Sequence, residues 1–159
     1  MITDRRRHLR TAAPNARPDD GQHGAVAVEF ALILPLLLML VLGIIEFGFG
    51  YHAWDSTQNG AREGARLAAV EPNIVLIEDR VRGSSGFLDQ ANLSVTITCR
   101  KFDGASFGTC APGQDWDEGD IVRVQVDYAY DYITPLPGFV GLGPDMAMTS
   151  VSEARFEGL

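Results

Sequence analysis

Gly24-Ala25-Val26-Ala27-Val28-Glu29-Phe30 leads directly into a run in which no charged or strongly polar side chain occurs from residue 30 to residue 45. Counted as a helix from Ala25 to Ile45, the stretch rises roughly 31 Å, enough to cross a hydrocarbon core of about 30 Å. The chain has 159 residues, and so small a protein has too little interior to surround a uniformly apolar helix. One transmembrane span is therefore expected. Glu29 stands out in it, because an unpaired carboxylate in lipid costs about 2–3 kcal/mol or more. It calls for a partner.

The flanks of the run are asymmetric. Before Ala25 lie Arg5, Arg6, Arg7, Arg10 and Arg17 against Asp4, Asp19 and Asp20, whereas the remainder carries eight basic and eighteen acidic residues, for a whole-chain charge of −8. Basic residues ahead of a span and an acidic body after it predict a cytoplasmic N-terminus and an extracytoplasmic body at the cell membrane. So acidic a body also argues against nucleic acid as a partner. An ordinary signal peptide fits less well, since the basic lead and apolar core are long and residues 48–54 offer no clean small-x-small site before bulky aromatics. Residues 1–24 carry Pro14 and Pro18 and no hydrophobic periodicity, which predicts a disordered cytoplasmic leader. His8, His23 and His52 are scattered, without Cys or carboxylate at ligand spacing, so neither metal nor other cofactor is expected. The division expected is a leader over 1–24, a transmembrane helix over 25–46, an extracytoplasmic continuation of it over 47–70, and a small α+β domain over 71–159.

Within the span, Pro35 removes a backbone donor and crowds the carbonyl of Ala31. A passive kink and a functional loosened turn are both open. Beyond Glu46 at the outer boundary, Phe47, Phe49, Tyr51 and Trp54 form an interfacial aromatic belt. Gly60, Ala61, Gly64, Ala65 and Ala68 then recur at three- and four-residue steps, a smooth stripe for close helix packing. Two helical glycines cost about 1 kcal/mol each relative to Ala, so close packing of some kind is required. Its partner is either another subunit or the protein's own sheet. Arg62, Glu63 and Arg66 lie off the stripe, on a solvated or inter-subunit face.

The body reads as a helix followed by strands. Asn73 caps a short helix with Ile74, Ile77, Glu78 and Val81 at helical spacing, ending near residues 83–86. Residues 93–99 and 121–132 alternate, the second placing Val122, Val124, Val126, Tyr128, Tyr130 and Tyr132 on one face, and a third strand is expected over 147–156. Cys99 and Cys110, the only cysteines, lie on the oxidising side and are expected to pair, which adds about 2.5–3 kcal/mol by chain-entropy arithmetic. The cluster Asp115-Trp116-Asp117-Glu118-Gly119-Asp120 suggests Ca²⁺ ligation or, better, a solvated turn, because Gly119 falls where an EF-hand needs its third ligand. Residues 133–144 form an apolar loop punctuated by Pro and Gly, which either meets a membrane surface or partner or packs over its own sheet. No nucleophile elbow, phosphate-binding loop or positioned histidine base is present, so neither catalysis nor a small-molecule substrate is expected.

Taken in order, Gly24-x4-Glu29-Phe30-Ala31, the run with Pro35, Gly43-Ile44-Ile45-Glu46-Phe47-Gly48, and Ala61-Arg62-Glu63-Gly64-Ala65-Arg66 resemble the TadE-like family. These are pseudopilin-like proteins of tight-adherence (Flp, type IVc) pilus assembly. The resemblance covers about residues 24–70, departing at Phe49, where a basic residue is usual. It implies a pilin-like fold, a long N-terminal transmembrane helix packed against a small antiparallel sheet. It further implies that a prepilin-type peptidase cuts between Gly24 and Ala25, ahead of Phe30, and that the new ammonium of Ala25 pairs with Glu29 of an adjacent pilin-like subunit. The other partners implied are the membrane and the pilus assembly machinery. The competing expectation is an unprocessed, membrane-anchored binding or scaffold domain.

Overall fold

A computed structural model describes residues 20–110 and 116–158, of which residues 20–23 are described by backbone alone. Most of the expected leader, with His8 and the side chain of His23, lies outside these residues, as does Asp115. Helix α1 runs from Asp20 to Ala68 and passes through Pro35 without a break. Its first described residue, Asp20, lies five positions before Ala25. By internal contacts the chain divides into residues 1–38 and 39–159, the division falling inside α1. In the first unit the large side chains Val26, Phe30, Leu32, Ile33 and Leu36 are all exposed. This is the one helix among the described residues long and apolar enough to cross a membrane.

The second unit joins the rest of α1 to α2 (Ile74–Ser84), β1 (Leu93–Arg100), β2 (Gly108–Thr109), β3 (Ile121–Asp131), α3 (Leu136–Phe139) and β4 (Asp145–Arg155). The sheet is antiparallel with strand order β2-β1-β3-β4. This is the α+β arrangement expected from the sequence. Strand β3 lies at its centre, and its period-two pattern buries Val122, Val124, Val126, Tyr128 and Tyr130 on one face. The other face is polar and cross-linked: Arg123, in register with Glu153, pairs with it at 2.6 Å, and Thr149 Oγ1 donates to Asp127 at 2.6 Å. Helix α2 starts where Asn73 Oδ1 accepts from the backbone N–H groups of Val75 and Leu76. Its Ile77 and Val81 are fully buried.

The core forms where α1 presents almost no side chain. Ala53, Ser56, Thr57, Gly60, Ala61, Gly64, Ala65 and Ala68 are all buried. A Cβ at Gly60 would stand 2.3 Å from Ser85 Oγ, and one at Gly64 would stand 2.5 Å from Val81 Cγ2 and 3.0 Å from Val124 Cγ1. The small-residue stripe is thus covered by the protein's own α2 and β3. It is not a free surface for a second subunit, the other use the sequence allowed.

Cys99 at the end of β1 is bonded to Cys110, just past β2. The bridge ties the two-residue strand β2, paired through Thr98–Thr109 and Cys99–Gly108, to the sheet edge. Strand β2 and the single turn α3 are absent from the sequence reading. Neither is long enough to show a period.

Gly64→Ala is expected to destabilise the protein by about 1–3 kcal/mol, because overpacking outweighs a helix-propensity gain of up to about 1 kcal/mol. Gly83→Ala, on α2 with no atom within 4 Å of the added Cβ, should be neutral or stabilising. Thermal unfolding in detergent checks the pair; equal responses at both sites would refute the close-packing account.

Candidate functional site

The N-terminal candidates lie along one exposed stretch of helix. Gly24, Ala25, Glu29 and Phe30 are all exposed, and a Cβ at Gly24 would meet no atom within 4 Å. The Gly24–Ala25 bond sits inside α1, four to five residues after its first described residue, Asp20. An endopeptidase acting there must first unwind about one turn. No hydrogen bond or ion pair joins Glu29 to another described residue, so within the described protein the carboxylate of this apolar segment has no partner.

The carboxylate at the other end of the apolar run is handled differently. Glu46 Oε1 accepts from the Tyr130 hydroxyl at 2.9 Å and from Ile133 N–H at 3.1 Å. Its Oε2 accepts from Thr134 N–H at 2.7 Å and from Thr134 Oγ1 at 2.6 Å. Four donors, one on β3 and three on the chain that leaves it, therefore close on one side chain of α1. Burial, the hydrogen bond to Glu46 and the charge of Glu46 together raise the Tyr130 phenol above its usual range, so it stays a donor. Tyr132 supports Tyr130 edge-on, with ring centroids 5.9 Å apart. Sequence reasoning placed Glu46 at the membrane boundary but missed this clasp. The partners lie 84 to 88 residues away, and no local pattern announces them.

The acidic cluster is a structural corner. Asp120 is buried, and its carboxylate accepts from Lys101 Nζ at 2.9 Å, Asp117 N–H at 3.0 Å and Phe102 N–H at 3.2 Å. Lys101 also bridges Asp117 at 2.7 Å. Burial alone would raise the Asp120 carboxyl, but the Lys101 ammonium and the two N–H groups prevail and hold it below its ordinary value. Hydrogen bonds to Asp117 and Asp120 push the Lys101 ammonium up to about 12. The expected solvated turn is present, yet its last residue faces inward and locks the entry of β3 to the end of β1. Among the described residues no group of three or more His, Cys, Asp or Glu is placed to hold a metal ion.

Residues 24–66 match the model of a family described as TadE-like protein. No curated protein and no solved structure matches the chain.

Two outcomes follow from the geometry. Glu46→Gln keeps the size but turns an NH₂ toward one pair of donors, and it should cost about 2 kcal/mol, since hydrogen bonds to charged groups contribute about 1.5–3 kcal/mol. Thermal unfolding in detergent reads this, and an unchanged midpoint would count against the clasp. Because the folded pKa of Asp120 is depressed, its contribution is complete above the ordinary carboxyl value of 3.8 and disappears as pH falls through the folded value. Urea titrations between neutral and acid pH should show wild type losing stability on this limb, with Asp120→Asn less stable near neutrality and flatter in acid. Parallel pH profiles would reject the assignment.

Proposed function

With a TadE-like domain at residues 24–66, we propose that this protein is a single-pass, pseudopilin-like membrane subunit serving assembly of a tight-adherence (Flp, type IVc) pilus. The observation that carries the reading is that the family-matched segment opens on an exposed apolar stretch of helix, residues 24–45, whose one carboxylate, Glu29, pairs with no described residue. The N-terminus faces the cytoplasm and the body the outside, in keeping with the arginines ahead of the span. A prepilin-type peptidase removes residues 1–24 by cutting before Ala25. Glycine suits the position before the cut because it offers no side chain to obstruct the bond.

Cleavage creates an ammonium at Ala25, four residues from Glu29. Pairing it with Glu29 of a neighbouring subunit lets two charges enter an apolar assembly that neither enters singly at low cost. Such a pair adds little net stability but penalises every register that leaves one charge orphaned. The work of the protein is mechanical and non-catalytic. Its partners are other pilin-like subunits, the peptidase and the assembly machinery.

A second reading, an unprocessed anchored scaffold, draws on the helical state of the Gly24–Ala25 bond, since a protease must open that helix first. The mass and N-terminal sequence of the protein recovered from membranes of peptidase-bearing cells separate the two. The proposal expects a chain starting at Ala25, and an intact leader would refute it. Glu29→Ala should leave processing largely intact while lowering co-isolation with pilin-like partners about tenfold or more, because an uncompensated buried charge costs about 3–5 kcal/mol. Undiminished co-isolation would eliminate the register role.

A further inference from the structure

We propose that residues 132–144 form a second membrane contact, a wedge held beside the outer end of the span that seats Phe139, Val140 and Leu142 among lipid headgroups and acyl chains. The proposal rests on reading α1 as a membrane span but not on its cleavage. Depth is the first argument. Leu136 Cδ2 lies 3.6 Å from the place a Cβ would occupy on Gly43, and Gly43 precedes the end of the uncharged run at Ile45 by two residues, about 3 Å along the helix. The wedge thus lies alongside the last turn of the apolar run rather than beyond it. Glu46 holds it there through Ile133 and Thr134.

Composition agrees with that depth. No charge occurs from Tyr132 to Pro144, whereas Asp131 and Asp145 stand immediately outside. Pro137 is buried and seats the turn, while Phe139 is 82% exposed and Val140 and Leu142 are 58% and 55% exposed. Together they make an outward apolar tip of a kind that water penalises and a bilayer accepts.

The backbone supplies the third argument. Of these thirteen residues three are prolines without an N–H. Seven of the other ten donate internally: Tyr132 to Pro144, Ile133 and Thr134 to Glu46, Phe139 to Pro135, Val140 to Leu136, Gly141 to Gly138 and Leu142 to Pro137. A loop solvated by water has no need of such closure, whereas one immersed in the bilayer does. Between wedge and helix lies a cleft of about 800 Å³, reaching along α1 from Met39 to Trp54 past Phe47 and Tyr51. Met39 is six residues, about 9 Å, inside the end of the uncharged run. The inner end of the cleft is therefore at the depth of acyl chains, which are its occupant.

The test uses the full chain in vesicles of phosphatidylcholine and phosphatidylglycerol, with and without bromine on the acyl chains. In a Trp54→Phe background, which retains Trp116, tryptophan is placed by Phe139→Trp or, as a span control, by Leu36→Trp. The emission that Phe139→Trp adds should be blue-shifted and lose about half its intensity or more to bromine, as expected for a ring roughly 5–10 Å into the headgroup–acyl boundary. Water-like, unquenched emission from Phe139→Trp with Leu36→Trp quenched would overturn the wedge and leave the span standing. Blue-shifted but unquenched emission would also overturn it, pointing to a protein partner or a second copy over the tip. If Leu36→Trp is not quenched, the span reading fails and the wedge with it.

Discussion

At Gly60 and Gly64 the backbone of α1 lies so close to α2 and β3 that even one added methyl group collides with Ser85, Val81 or Val124. The architecture from Met39 onward depends on this approach. A helix lined with larger residues would stand farther from the sheet and leave Ile77, Val81 and Val124 around a gap instead of buried. Dispersion forces fall steeply with such a gap, and a protein with so few core residues has little else to offset the entropy of folding. The glycines cost helix propensity locally and are retained because close contact is worth more.

The same helix meets a different requirement before the core begins. Up to Ile45 its side chains suit lipid, and from Ala53 its inner face suits a protein interior. Glu46 lies between these regimes and converts the change of environment into a fixed attachment. Its two oxygens satisfy two backbone N–H groups, a threonine hydroxyl and a buried phenol. The chain leaving β3 is thereby tied to the helix at the level where the apolar run ends. Such a tie fixes the body to the helix without relying on a loose loop. Glu29 is the contrasting case: among the described residues it has no partner.

The elements that could be read in the sequence are those whose signal is local and repeated. The apolar run, the alternation in β3, the Asn73 cap and the cysteine pair each announce themselves within a few residues or by elimination. Strand β2 and helix α3 lack enough residues for a period, and both are held by tertiary partners, the disulfide in one case and the Glu46 clasp in the other. Asp120 was legible as acidic but not as buried. Its environment arises because the neighbours Lys101 and Phe102, at the end of β1, converge on it with the N–H of Asp117 from its own turn. The long-range part of that meeting is not encoded in spacing along the chain.

From its sequence alone, this protein was bound to have an uncharged span, a basic lead and acidic body, an oxidisable cysteine pair and a central strand with one apolar face. Those properties follow from side-chain chemistry and near-neighbour periodicity. The tertiary structure alone decided that the small-residue stripe is covered by the protein's own α2 and β3, and that Glu46 anchors the body. It also placed an apolar loop beside the end of the span. Each of these depends on contacts between residues far apart in the chain, and a stripe or carboxylate fits many partners until the fold brings one to it.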